Sequence, residues 1–143
     1  KWVLLLLMTF VALLALIIFI EMAGYILAWI RPAFGISGMA PHSYLLEKSL
    51  RVFAASALMM AIHTWIAIRW RSFTVAVATG MTATVVSFLV AQSVQYGRFY
   101  PWAMPVQVFA HEGVFSDFVV VVGLVGGFVV FMLGLWDFNR RDI

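Results

Sequence analysis

Two ionisable residues, Glu21 and His63, lie inside long apolar stretches of the sequence. A carboxylate or an imidazole at membrane depth is costly to desolvate, which makes each a candidate intramembrane functional group. Glu21 lies toward the outer third of its stretch. A long helix can slide until such a residue reaches the interface, and we favour this structural interpretation over a functional one.

The chemistry open to His63 is haem ligation or proton relay. A two-histidine haem site needs a second ligand at similar depth, and the other histidines, His42 and His111, lie in segments expected outside the membrane. We therefore expect His63 to be a hydrogen-bonded packing residue. His111 and Glu112 are adjacent residues of types that bind metals, but the sequence offers no third ligand beside them. The pair is therefore too weak a signal to predict a metal site.

No other residue pattern indicates catalysis. The chain has no cysteine, which excludes disulfides and thiol chemistry, and it has no Walker glycine loop, HExxH sequence or paired catalytic carboxylates. The sequence therefore predicts a protein that is not an enzyme and that has no metal site and no cofactor. Any energy source would come from a partner.

The composition indicates that these residues are positioned by membrane helices. Apolar residues make up 65% of the 143 positions and charged residues only 10%, the reverse of what a water-soluble surface requires. The nine basic and six acidic residues are scattered, so no nucleic-acid surface is predicted. The bilayer is the expected surrounding.

Long apolar runs predict an all-α integral membrane protein forming a single domain over 1–143. About 20 apolar residues cross the hydrocarbon core. On that basis four transmembrane helices are predicted at about 2–30, 50–68, 73–94 and 117–135, with a short helical lead-in at 44–48. Residues 95–116 contain prolines and glycines among aromatics, which indicates a broken, re-entrant outer segment before the last helix. The last residues, 136–143, are expected to form a polar tail.

The distribution of lysine and arginine predicts the orientation, since cytoplasmic loops carry the excess. One side holds Lys1, Arg69, Arg71, Arg140 and Arg141, and the other holds Arg31, Lys48, Arg51 and Arg98. The tight turn with two arginines and the double-arginine tail concentrate charge on the first side. We therefore expect a multi-pass protein of the inner (plasma) membrane with both ends in the cytoplasm.

Small residues at helical spacing predict two packing faces. Gly123 and Gly127 form a GxxxG pair on the last helix, and Ala76 and Gly80 begin a stripe on the third that continues through Thr84 and Ser87. Such spacing lets another helix approach the backbone closely. We interpret both faces as helix packing rather than a substrate path.

Three stretches together resemble one protein family. They are His63 to Gly80, which contains the basic turn Arg69-Trp70-Arg71-Ser72-Phe73, then Tyr100-Pro101-Trp102-Ala103-Met104-Pro105, and finally Phe138-Asn139-Arg140-Arg141-Asp142-Ile143. They are similar, in the same order, to stretches of ABC transporter permeases of the lantibiotic and bacitracin self-protection class. In that family the turn reads Arg-x-Arg/Lys-Ser/Asn-Phe after a tryptophan.

The resemblance implies a six-helix permease of which this chain holds the third to sixth helices, with two helices preceding Lys1. It implies export of an amphipathic compound such as a peptide antibiotic, and therefore a role in antibiotic resistance. ATP hydrolysis would occur on a separate ATP-binding subunit. The turn contacting that subunit would comprise Arg69, Trp70, Arg71, Ser72 and Phe73. A homo- or hetero-oligomer with another permease is also implied.

Two alternatives from other functional classes stay open on the sequence. His63 and the aromatic content suit a haem- or quinone-associated membrane anchor of a respiratory complex, which a Soret band would reveal. The glycine stripes suit a non-catalytic assembly subunit, which would show neither haem absorbance nor association with an ATPase.

Overall fold

The computed structural model describes residues 2–31, 33, 42–70 and 72–140. Within these ranges the chain is helical and has no strand, which confirms the predicted all-α class. Seven helices follow one another over the described residues: α1 Trp2–Ile30, α2 His42–Ala55, α3 Ala57–Trp70, α4 Phe73–Val90, α5 Val94–Gly97, α6 Met104–Ala110 and α7 Val114–Asn139.

In the described residues α1, α4 and α7 are each long and apolar enough to cross a membrane, and α2 with α3 makes a fourth if the bent pair is one span. The predicted number of spans and the first span, 2–30, are confirmed on this count. Several helices that could cross a membrane make this a multi-pass membrane protein in contact with the lipid bilayer.

The second predicted span, about 50–68, corresponds to two helices and not to one. The helix starts earlier, at His42, and is interrupted at Ser56, where α2 and α3 meet at 40°. The Ser56 hydroxyl donates to the Phe53 carbonyl oxygen over 2.7 Å, a local bond of the kind that bends helices. The lead-in expected at 44–48 is thus the first part of a continuous α2.

The third predicted span, 73–94, ends too late. α4 stops at Val90, and a separate short helix starts after Ser93, whose side chain accepts from the Tyr96 N–H over 3.5 Å. The carbonyl oxygen of Ala91 accepts from Gln107 Nε2 over 2.7 Å instead of extending the helix. The end of α4 is therefore set by a residue 16 positions later in the chain.

The last predicted span, 117–135, is too short at both ends. α7 begins at Val114 after Gly113, whose φ of 67° favours glycine. It continues to Asn139, so the first half of the expected polar tail, 136–139, is helical. Its two acidic residues are paired with arginines of other helices, Asp117 with Arg51 and Asp137 with Arg69, which allows charged turns at both ends.

α3 is the central helix of the bundle. It packs most extensively against α7 and also contacts α4 and α1, whereas α4 and α7 do not contact each other within the described ranges. The ends of α3 and α7 that hold Arg69 and Asp137 lie beside the start of α4 and Val3 of α1. We call this the Arg69 end of the bundle, and the opposite end the Glu112 end.

The buried core lies toward the Glu112 end. Ala55 of α2, Met104 and Val108 of α6, and Val119 of α7 form one fully buried cluster. Many large apolar side chains elsewhere are exposed, and no residue of the α1 span is buried inside the structure. This inversion is expected where lipid, not water, is the solvent.

Candidate functional site

The turn between α3 and α4 projects from the Arg69 end of the bundle. Trp70 is 57% exposed and Phe73 is 84% exposed, so two large aromatic side chains flank a basic turn. Ser72 caps α4, its side chain accepting from the Val75 N–H over 3.4 Å. Arg71, the other predicted residue of the turn, lies outside the described residues.

Arg69 is held in place by Asp137 of α7. Its guanidinium Nη1 donates to Asp137 Oδ1 over 3.4 Å, and the indole Nε1 of Trp65 donates to Asp137 Oδ2 over 3.2 Å. Trp65 and Arg69 are four residues apart and therefore share one face of α3. One carboxylate thus joins the last turn of α3 to α7.

Sequence reasoning missed Asp137, which it assigned to a polar tail. A signal was present, because Trp65 and Arg69 present two donors on one helix face and need an acceptor at the same end of the bundle. Asp137 is expected at that end in any topology with four spans. Its identity as the acceptor still required knowing that α3 and α7 are neighbours.

A cavity of about 1000 Å³ opens at the Arg69 end, between α4 and α7 and over α3. Trp65 and Ile68 form part of its floor, Ala76 and Gly134 lie on opposite walls, and Arg69 is among its polar residues. Its volume lies at the top of the range of roughly 300–1,000 Å³ for small-molecule sites.

Glu21 is paired with the first residue of α2. Its Oε1 lies 2.6 Å from Nδ1 of His42, and about a quarter of the Glu21 side chain is accessible. The carboxylate therefore has a polar partner at the Glu112 end of the bundle. This pairing agrees with a structural interpretation of Glu21 at the edge of the membrane, and it leaves a functional role as a prediction.

His63 packs against Gly80, where α3 faces α4. A Cβ added at Gly80 would lie 2.7 Å from Cε1 of the His63 ring, so a larger residue there would require the ring to shift. The ring Nδ1 is buried and has no hydrogen-bond partner within the described part of the chain. The expected packing is therefore present, but the expected hydrogen bond is not found at Nδ1.

The glycine pair of α7 faces the break between α2 and α3. A Cβ at Gly123 would lie 2.7 Å from the Ala55 backbone, and one at Gly127 would lie 2.8 Å from the Ala57 backbone. These are backbone atoms that cannot rotate away. Ala76, on the other small-residue face, lines the Arg69-end cavity instead of a tight helix crossing.

Ion pairs join α2 to the start of α7 at the Glu112 end. Lys48 Nζ lies 3.1 Å from Glu112 Oε1, and Arg51 pairs with Asp117 and also with Glu47. The hydrogen bond from Lys48, and a second from the Tyr44 hydroxyl over 3.0 Å, lower the pKa of Glu112 below its ordinary value. Lys48 and Arg51 enter the sequence prediction only through the orientation, and their pairing with these carboxylates is not predicted from the sequence.

The outer segment is fastened to α4 by two long-range hydrogen bonds. Gln107, only 1% exposed, donates through Nε2 to the Ala91 carbonyl oxygen, and the Tyr100 hydroxyl donates to the Ala83 carbonyl oxygen over 3.0 Å. Gly97 leaves room for the Gln107 side chain, which a Cβ there would meet at 2.2 Å. The proline-rich stretch is therefore a packed element over the end of the bundle.

The three histidines do not converge. His42 contacts Glu21, His63 packs against Gly80, and His111 lies against the Phe115 ring with centroids 4.8 Å apart. Among the described residues no group of three or more His, Cys, Asp or Glu side chains is arranged to hold a metal ion. The arrangement provides a projecting basic turn, an adjacent cavity and a charged layer at the opposite end.

Comparison with protein-family models, curated proteins and solved structures yields no match to the chain.

Proposed function

We propose that this chain is the membrane-spanning permease subunit of an ATP-driven ABC exporter of amphipathic compounds such as peptide antibiotics. ATP hydrolysis occurs on a separate ATP-binding subunit. Both ends of the chain lie in the cytoplasm and the Arg69 end faces that subunit. The observation that carries the proposal is the exposed turn formed by Arg69, Trp70, Ser72 and Phe73.

The composition of this turn suits a protein contact. Tryptophan and arginine are enriched among the residues that dominate binding energy at interfaces. Phe73 is 84% exposed, and an aromatic ring at the water-facing tip of a hairpin gains little without a partner or the lipid interface. Asp137 contacts the last turn of α3 and Ser72 caps the start of α4, so both helix ends that flank the turn are tied down.

The resemblance to lantibiotic and bacitracin self-protection permeases supplies the class of transporter. It rests on the turn, on the Tyr100–Pro105 stretch and on the last residues of the chain. The second stretch lies in the outer segment that packs over the Glu112 end, away from the turn. A permease needs its ATPase contact and its outer elements at opposite ends of the membrane, and this separation supports the proposal.

Association with another permease completes the proposal. α1 and α4 present apolar side chains outward along most of their length, which leaves faces for a second permease as well as for lipid. A dimer of permeases, identical or different, would line the transport path.

The test is purification of the full-length protein in mild detergent, followed by identification of associated proteins and an ATPase assay. We expect a Walker-motif protein to copurify and its hydrolysis to depend on this subunit. Phe73→Ala should lower copurified ATPase severalfold, whereas Val114→Ala, equally exposed at 86% on the opposite end, should not. Absence of an ATPase, or a Soret band with redox partners, overturns the proposal.

A further inference from the structure

The cavity at the Arg69 end has the form of a groove with an apolar interior and a polar rim. Its floor on α3 extends from Ala61 to Ile68 and its wall on α7 from Val130 to Phe138. The hydroxyl of Thr64, in the floor, donates to the Met60 carbonyl oxygen over 2.7 Å, so its donor is already used. The charged groups, Arg69 and Asp137, lie toward the ends of their helices.

The length of the groove fits one leaflet of a bilayer. At 1.5 Å per residue, these stretches of α3 and α7 are roughly 10–12 Å long, whereas the hydrocarbon core is about 30 Å thick. A transmembrane helix from another chain would require a face along most of that thickness. An acyl chain that enters from one leaflet requires only a groove of about this length.

The rim favours an anionic headgroup. Arg69 has five N–H donors, and its Nη1 donates to Asp137 Oδ1 at the long distance of 3.4 Å. Asp137 also accepts from Trp65, which partly satisfies its negative charge. Arg140, stacked 3.7 Å from the Trp136 ring centre, adds a second cation at this end of α7. A phosphate can accept two parallel N–H bonds from a guanidinium, which makes it a suitable partner for Arg69.

We propose that this groove binds an anionic phospholipid from the leaflet at the Arg69 end, with an acyl chain between α4 and α7 and the phosphate at Arg69. The proposal is independent of any transport activity. It concerns a specific site, because the small residues Ala67, Ala76 and Gly134 leave the space that the chain occupies. Larger side chains there would close it.

The test is native mass spectrometry of the full-length protein titrated with phosphatidylglycerol or phosphatidylcholine of equal chain length. Both lipids carry the phosphate, but the choline cation of phosphatidylcholine offsets its charge, so wild type should bind one phosphatidylglycerol about tenfold more tightly than phosphatidylcholine. Arg69→Gln should make the two affinities equal. Equal affinities in wild type would overturn the headgroup assignment.

Two matched variants locate the acyl chain. Ala76→Phe fills the groove, whereas Ala78→Phe places the same ring on an exposed position of α4 that does not line it. The first should abolish the tight phosphatidylglycerol site and the second should keep it. Ala67→Phe, an exposed groove position on α3, serves as a second filling variant if Ala76→Phe does not fold. Retention of the site in a folded filling variant contradicts the proposal.

Discussion

The backbone of Gly123 on α7 lies directly against the backbone of Ala55 on α2, close enough that a Cβ at position 123 would come within 2.7 Å of the Ala55 Cα and carbonyl oxygen. Gly127 makes the same kind of approach one turn later, to Ala57. The break between α2 and α3 is therefore fitted to a glycine surface. Several consequences of the fold can be measured from this and other contacts.

Gly123→Ala should destabilise the protein by about 1–3 kcal/mol, the usual cost of inserting a carbon into a closed contact. Gly134→Ala, on the same helix, is the matched control, because its Cβ would meet the Trp65 ring at an ordinary 3.6 Å. Thermal unfolding in detergent distinguishes the two. A Gly123→Ala protein as stable as the control would show that α2 and α7 are not in backbone contact.

Asp137→Ala should destabilise the Arg69 end by removing the acceptor shared by Trp65 and Arg69. A half-exposed pair contributes no more than about 1 kcal/mol. A double-mutant cycle with Arg69→Ala isolates the pair, and its coupling energy should shrink as salt is raised. If the effects of the two substitutions on stability are additive, Arg69 and Asp137 do not interact.

The stability of the Glu112 end should depend on pH through the ionisation of Glu112 itself. Its pKa is lowered by Lys48 and Tyr44, so the folded state binds its proton less tightly than the unfolded state. The resulting stability is present above the unfolded-state pKa and is lost as pH falls through the lowered folded-state pKa. Wild type should exceed Glu112→Gln in stability at neutral pH, and the difference should vanish in acid.

This pH dependence is checked by measuring the unfolding midpoints of wild type and Glu112→Gln at several pH values. The difference between them is the quantity to follow, since other carboxylates titrate in both. A constant difference down to the lowest pH would mean that Glu112 is not paired with Lys48.

Gln107→Met should loosen the outer segment by removing the donor to the Ala91 carbonyl oxygen while nearly keeping side-chain volume. Loss of one partner of a buried hydrogen bond costs about 1–3 kcal/mol. Hydrogen exchange should therefore rise in residues 94–110. Gln95→Met, on an exposed position of the same segment, is the control and should leave exchange unchanged.

The all-α class and the number of spans were predictable because lipid imposes long apolar runs that composition alone reveals. Helix ends were predicted less well, since they depend on partners distant in sequence. α4 ends where Gln107 takes the Ala91 carbonyl, and α7 extends past Trp136 because Asp137 meets Arg69. The residues of an apolar run do not indicate which distant residues will bind the ends of the helix.

The features of the candidate site were likewise predictable only in part. The tight connection at 69–73 was predicted from its residues, because a basic pair between two apolar runs is a local feature, whereas its role as an ATPase contact comes from the family resemblance and stays a prediction. The partner of Glu21 was not predicted, since His42 lies 21 residues away across the connection between helices. The break at Ser56 was also missed, because it depends on which helix presents Gly123 and Gly127 to it.

The interrupted second span, α2 and α3, keeps backbone hydrogen bonds across its bend. Across the joint, the Ser56 N–H still donates to the Val52 carbonyl oxygen and the Met60 N–H to that of Ser56, both over 3.0 Å. The 40° bend therefore costs neither of these backbone hydrogen bonds. Since α2 is tied by ion pairs at the Glu112 end and α3 by Asp137 at the Arg69 end, the two halves of this span are secured separately, and the bend at Ser56 lets one interrupted helix meet both sets of partners.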